Sequence, residues 1–281
     1  HSENIIIFPA HNGIRIFVPL CNIINIFFGR RLHYVVIGGW LSSFLKNRCI
    51  LKLCLMNFNC IYVETSTMKR ALEDLGLKNV DILKNFKNFK VLSNIKLEGT
   101  YNKPYQICTF SRVMKEKGIE DIVGAVISIN NKNKDEIYKL DIYGQVDVSQ
   151  EEWFEKLRKS FPNYISYKGA VQSDKSVEIL RKYFLLIFPT RFFTEGIPGT
   201  ILDAYAAGVP VVSSRWESFF DVVDDEYTGI GYEFGDIDAL TNILEQISYN
   251  PDTIIEKKYN CLKKANEYVP GVALSSLLNR L

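Results

Sequence analysis

Leu185–Ser214 reads LLIFPTRFFTEGIPGTILDAYAAGVPVVSS, and its order of residue types sets the fold class. Leu185 to Phe188 is a short, wholly apolar run, as expected of a strand buried on both faces. A loop holding Glu195, Gly196, Ile197, Pro198, Gly199 and Thr200 opens onto a short helix, Ile201–Ala207, and a second buried strand spans Val209 to Ser213. Pro198 suits a turn entering a helix, while Gly196 and Gly199 let backbone N–H groups approach a ligand closely. A helix N-terminus offers unpaired N–H groups and a partial positive charge, which together favour an anion such as phosphate. Two carboxylates, Glu195 and Asp203, bracket that N-terminus with seven residues between them. An ordinary strand–loop–helix with surface carboxylates fits the same pattern, so this stretch alone does not choose.

Outward from it, apolar runs alternate with helical patterns along the whole chain. Strands are expected at residues 4–8, His33–Ile37, Cys60–Val63, Val80–Leu83, Tyr105–Phe110, Tyr138–Tyr143 and Tyr164–Tyr167. Helices are expected at Ile14–Arg30, Arg48–Phe58, Thr67–Leu75 capped by Ser66, 118–129, 150–161, 174–182 capped by Ser173, and 237–248 capped by Asp236. Residues 219–232 read as irregular, and a last helical region from Pro251 is broken near Val269-Pro270-Gly271. Strands alternating with helices predict parallel sheets covered on both faces. The polar stretch 90–104 predicts the boundary between two α/β units. LKNFKNFK at 83–90 fits either a basic membrane-surface patch or a solvated linker.

Composition narrows the classes. The chain has 281 residues, 47% hydrophobic and 23% charged, which describes a globular protein. Net charge is only +2, but residues 1–94 carry 12 Lys/Arg against 5 Asp/Glu, and the remainder carries 22 against 27. A basic first part predicts an anionic partner: membrane phospholipid, an anionic acceptor or nucleic acid. No nucleic-acid-binding motif accompanies the charge, so nucleic acid ranks last. Six cysteines show no paired C-x-x-C spacing and are expected to be reduced core residues; with three histidines, a His/Cys metal site is not expected. Ile14 to Phe28 is too short and too polar to span a bilayer. Because the chain opens at His1 and runs at once into a strand, it is read as a fragment of an incomplete N-terminal domain.

In the second half, ligand-type residues fall repeatedly after strands: Arg112 and Lys117, Gly144, Gly169, then Glu195 to Asp203. In an open α/β sheet these positions share one edge, where ligands bind. Two cations, a helix N-terminus and two carboxylates on one edge suit a nucleotide diphosphate. Gly38 and Gly39 end a strand of the first half in the same way, although a tight turn explains an isolated pair as well.

F-S-R-V-M-K-E-K-G at 110–118, followed by F-P-T-R-F-F-T-E-G-I-P-G-T-I-L-D-A-Y-A-A-G-V-P-V-V at 188–212, resembles the glycosyltransferases of family 4. The resemblance covers about residues 101–250. It implies an α/β GT-B architecture, two Rossmann-like domains with parallel sheets facing across a cleft. The corresponding domains are 1–98 (a truncated acceptor-binding domain), 99–268 (the nucleotide-sugar domain) and 269–281 (a terminal helix packing back toward the first). It implies a retaining, metal-independent transfer from a nucleotide-diphosphate sugar, UDP-sugar favoured over GDP-sugar, to a glycan or lipid-linked acceptor. By position, Arg112, Lys117, Gly199 and Thr200 would bind the diphosphate. Glu195 would serve catalysis beside the donor sugar. Gly196, Ile197, Pro198, Asp203, Gly169 and Val171 would bind sugar and nucleotide, with Gly38 and Gly39 on the acceptor side. The family pattern has Glu where Asp203 stands and often His where Ile37 stands. Family analogy places the enzyme in the cytoplasm, at the inner face of the membrane, in cell-surface polysaccharide synthesis. A nucleotide-sugar epimerase and a degenerate nucleotide-sugar-binding module are the competing readings.

Overall fold

The computed structural model describes residues 2–89, 91 and 102–281. The chain folds into two compact units. The first comprises the chain up to Phe86 together with Thr194–Pro198 and Pro270–Leu281; the second comprises Lys87–Phe193 and Gly199–Val269.

The first unit is built on four strands, β1 (Asn4–Ile7), β2 (Arg31–Val35), β3 (Cys60–Val63) and β4 (Val80–Ile82), in sheet order β1-β2-β3-β4. All pairs are parallel, with Ile6 opposite His33, Tyr34 opposite Ile61 and Tyr62 opposite Asp81. β3 is buried at every position, and Tyr34, Ile61, Leu32 and Leu55 anchor the core. A second, smaller cluster gathers Cys60, Tyr62, Leu83 and Leu277. Near it, Ser276 Oγ donates to the carbonyl of Ile82 and Arg280 bonds Asp81.

The second unit carries β5 (Tyr105–Phe110), β6 (Tyr138–Tyr143), β7 (Ile165–Gly169), β8 (Leu185–Phe188), β9 (Val211–Ser214) and β10 (Gly229–Tyr232). Their order is β10-β9-β8-β5-β6-β7, again wholly parallel. The order reverses between β8 and β5, the switch point at which an open sheet leaves a crevice beyond its strand ends. Helices Ile119–Asn133 and Ile237–Tyr249 pack together over a core that includes Ile107, Leu140, Ile187 and Val212. Two Rossmann-like parallel α/β sheets are the GT-B elements that the motifs implied.

Local readings differ in places. Residues 219–232 are not irregular: Phe219–Val222 is helical and Gly229–Tyr232 is β10. That strand has two glycines and no apolar run, and only its pairing with β9 creates it; a Cβ on Gly229 would stand 2.2 Å from the Val211 carbonyl oxygen. The helix after β3 is capped one residue early, by Thr65, whose side chain accepts from the Met68 N–H, so Ser66 is its first residue. Ser173 caps nothing; the helix there is Ser176–Leu180. Cys60, Cys108 and Cys261 are core residues, whereas Cys49 is exposed and Cys21 and Cys54 are half-buried. The boundary expected near 95–103 falls largely outside the described residues. Just before it, 83–89 is neither a loose linker nor a free basic patch. Leu83 is buried, Asn85 Nδ2 donates to the Ile197 carbonyl, and Lys87 bonds Asp203.

Candidate functional site

Two glycines shape the loop after β5. Gly118 has φ 67°, and a Cβ there would lie 1.9 Å from the carbonyl oxygen of Pro189, the residue that follows β8. Only a residue without a side chain lets the Arg112–Lys117 loop lie against the end of β8. Gly144 has φ 135°, and its Cβ would lie 1.7 Å from the Ser111 carbonyl oxygen, which clamps the other side of the loop. Hydrogen bonds finish the frame. Val113 N–H donates to the Gln145 carbonyl (2.9 Å), Arg191 N–H to that of Glu116 (2.8 Å), and the Arg191 guanidinium pairs with buried Asp121.

On this frame Lys117 is half-buried, its Nζ 4.9 Å from the Phe192 ring centre and 5.5 Å from that of Phe188. Such contacts hold an ammonium in place without neutralising it. Arg112 is more open. Its guanidinium lies 3.7 Å from Asp147 and borders a recess of about 230 Å³ with Gln145 and Val146. The Ser149 hydroxyl and N–H hold the Asp147 carboxyl below its usual range, and Arg112 adds to the effect. Gly169 closes β7 at φ 80°, its carbonyl taking the Gly144 N–H, and Val171 follows half-buried.

The helix after β8 begins at Gly199, two residues before the expected start, so Thr200 lies in its first turn. The Thr200 hydroxyl oxygen is buried with no hydrogen-bond partner among the described residues. Asp203 is 3% exposed. Its Oδ2 accepts from Lys87 Nζ (2.6 Å) and Ser176 Oγ (2.7 Å), while Oδ1 is buried and unpartnered among the described residues. Burial pushes its carboxyl above the usual range, outweighing the contacts with Lys87 and Ser176. Lys87, Asn88, Ser173, Arg181 and Asp203 line a recess of about 270 Å³.

In the first unit, Gly38 (φ 78°) and Gly39 follow β2 and meet the segment Thr194–Pro198. Gly39 N–H donates to the Thr194 carbonyl at 3.1 Å. Glu64, at the C-terminal end of β3, is buried between them. One carboxylate oxygen accepts from Gly38 N–H (3.2 Å) and the other from Ile197 N–H (2.5 Å). A side chain on Gly196 would place its Cβ 2.1 Å from that second oxygen, so Glu64 requires glycine at that position. Ile197 is 4% exposed; Glu195 and Pro198 are half-buried. The structure thus brings Gly38, Gly39, Gly196 and Ile197 together around an acid that the motifs did not single out.

The family described as glycosyl transferases group 1 matches residues 104–250. The chain belongs to this family. Among its relatives is an uncharacterized glycosyltransferase of Methanocaldococcus jannaschii, 23% identical over 188 residues, covering 62% of this chain and 46% of that protein. The capsular polysaccharide biosynthesis glycosyltransferase CapM of Staphylococcus aureus is 27% identical over 168 residues, 58% of this chain and 42% of CapM. This group 1 chain therefore spans about half the length of the curated relatives it matches. The crystal structure of Anabaena HepE in complex with UDP superposes with a TM-score of 0.77 at 14% identity, covering 98% of this chain and 77% of HepE, a likeness of fold.

The matched segment holds Arg112, Lys117, Gly169, Glu195, Gly199, Thr200 and Asp203 but not Glu64 or Lys87. Glu64 nevertheless had a local signal: it is the first residue after a fully buried strand, at the sheet edge that Gly38 and Gly39 share. Burial, with a further push from Glu195, raises its carboxyl above the ordinary 4.5, against the lowering by the Ile197 and Gly38 N–H groups. A raised folded-state pKa means that ionising Glu64 disfavours the fold. Relative to Glu64→Gln, the wild-type protein should therefore gain stability as pH falls through the raised value. The difference should level off below about 4.5, the unfolded-state value. Melting temperatures of both proteins from pH 8 to about pH 4 check this; a constant difference would sink the assignment of Glu64 as a strained buried anion.

Proposed function

We propose that this group 1 chain binds a nucleotide-diphosphate sugar and serves a retaining transfer of the sugar to a hydroxyl of a glycan or lipid-linked acceptor. What carries the reading is the Gly118–Pro189 contact, which sets the Arg112–Lys117 loop beside the strand that leads to the Gly199–Ala206 helix. Two cations and a helix N-terminus then serve one sheet edge, at the switch point. In the transition state negative charge grows on the departing diphosphate, and Lys117, Arg112 and the N–H groups at Gly199 and Thr200 would stabilise it without a metal. Glu195, in the loop leading to that helix, is assigned to the donor sugar and to the positive charge developing on its ring. Asp203 is assigned to nucleotide hydroxyls, for which its unpartnered Oδ1 is an acceptor. Gly169 and Val171 are assigned to the base. The UDP in HepE and the polysaccharide role in the name of CapM support a UDP-sugar donor and a part in polysaccharide assembly.

Thermal unfolding with UDP, GDP and ADP tests the reading. At about a hundred times its Kd, UDP should stabilise by about 2.7 kcal/mol, or several degrees in Tm, with GDP and ADP weaker and EDTA without effect. Stabilisation by none of the three would overturn it. A UDP shift lost in EDTA would overturn its metal-independent part.

A further inference from the structure

Helix Ile14–Phe28 turns only a narrow stripe, Ile14 and Val18 with half-buried Cys21, Asn22 and Asn25, toward the first unit's core. The rest is apolar and open. Phe27 is 81% exposed and Ile26 79%, and Ile16, Phe17, Leu20, Ile23, Ile24 and Phe28 are exposed with them. At 3.6 residues per turn, Phe27 stands about two and a half turns from Val18, on the pole directly opposite the core, with Ile16, Leu20 and Ile23 around it. The neighbouring helix Cys49–Met56 adds Ile50 (78% exposed) and Leu53. The two helices are fixed to each other through Asn22, whose Nδ2 donates to the Cys54 carbonyl and whose Oδ1 accepts from Asn57.

The composition around this face is as one-sided as its exposure. Residues 4–63 contain no Asp or Glu, and they carry Arg15, Arg30, Arg31, Lys46, Arg48 and Lys52. Arg30 and Arg31 follow Phe28 after a single glycine, and Lys52 shares the second helix. A further helix beside this one in the same layer would cover a flank; the outward pole would stay apolar. A protein partner would need acids to meet the cations. A bilayer whose headgroups carry negative charge satisfies both features at once, because apolar side chains enter the acyl boundary while long basic side chains reach the phosphates. Among the described residues no helix is long and apolar enough to cross a membrane, so the helix would lie in the interface.

We propose that helix Ile14–Phe28, flanked by Ile50 and Leu53, is a docking face for an anionic phospholipid surface. It is independent of the donor reading, since vesicle binding needs no nucleotide.

Co-sedimentation of the 281-residue chain with phosphatidylglycerol-containing vesicles and with pure phosphatidylcholine vesicles tests it. Partition into the anionic vesicles should be at least about tenfold stronger and should fall as salt rises from 0.05 to about 0.5 M. Ile23→Glu with Phe27→Glu should lower it at least about tenfold, and Arg30→Gln with Arg31→Gln should weaken it and flatten the salt dependence. Both double variants should keep the wild-type far-UV spectrum and nucleotide-induced shift. Should the glutamates disturb the fold, Phe27→Ser, at a fully outward position, gives the same reading with a smaller loss. Equal partition into both kinds of vesicle, no partition into either, or partition unchanged by the substitutions would overturn the proposal. So would a dimer, seen by sedimentation, that the glutamates split while the wild type ignores vesicles; the face would then belong to a second copy.

Discussion

Gly118→Ala is expected to destabilise the protein by about 2–5 kcal/mol, the sum of placing a side chain at left-handed φ and of overpacking. The melting temperature should drop by about ten degrees. The added methyl has nowhere to go. Its Cβ would stand 1.9 Å from the Pro189 carbonyl oxygen and 2.9 Å from the Pro189 carbonyl carbon, both backbone atoms at the end of a buried strand. Relief requires the 111–118 loop to lift from β8, which would also move Lys117. Nucleotide stabilisation should therefore vanish together with the stability. Gly124→Ala, within the helix Ile119–Asn133, is the matched control. No atom lies within 4 Å of its Cβ position, so the substitution should be neutral or stabilise by up to about 1 kcal/mol. Calorimetry of the two variants decides: a Gly118→Ala protein within about 1 kcal/mol of wild type would show that the close approach to Pro189 is not required.

The second large effect lies in turnover. Lys117→Ala should slow sugar transfer by about 10²–10³-fold, or about 2.7–4 kcal/mol of barrier, as when a preorganised charge-stabilising group is removed. Arg112 is more open to solvent and already lies near Asp147, so Arg112→Ala should fall at the lower end of that range. Melting temperatures should hardly change, because neither side chain fills the core. Single-turnover transfer from a UDP-sugar, measured on active enzyme, separates this from a loss of fold. If each single variant keeps its rate within about tenfold of wild type, the diphosphate assignment of this loop is wrong.

How far the fold was legible follows from how local each signal is. CIYV, YQICTF, YKLDIY and LLIF are runs whose apolar or alternating pattern says strand before any partner is known, and β3, β5, β6 and β8 begin and end where those patterns do. GIGY carries no such pattern, and β10 exists because β9 offers a free edge beside it. Ser66 lost the cap to Thr65 because two adjacent hydroxyl residues are interchangeable in sequence and differ only in backbone angles: Thr65 is extended, Ser66 helical. At the site, the glycines, cations and acids of 110–118 and 188–203 follow a family spacing, so they could be read in line. The partner of Asp203 could not. Lys87 lies 116 residues away, within a stretch whose Lys, Asn and Phe fit a linker or a membrane patch equally well. Such a pair is written only in three dimensions. Glu64 lies between these cases: its place after β3 was readable, whereas its grip on Ile197 N–H, 133 residues away, was not.

The interleaving of the two units bears on how enzymes of this kind can be recombined. Thr194–Pro198 belongs with the first unit although the chain on both sides of it belongs with the second, and Pro270–Leu281 returns to the first after the second is complete. Neither unit is a contiguous block that a single crossover could transfer. A chimera that takes residues 1–86 from another member would keep a loop fitted to Glu64, Gly38, Gly39 and Asn85, and a tail fitted to Asp81 and Ile82, with those partners replaced. A workable graft has three pieces, and its smallest is five residues long.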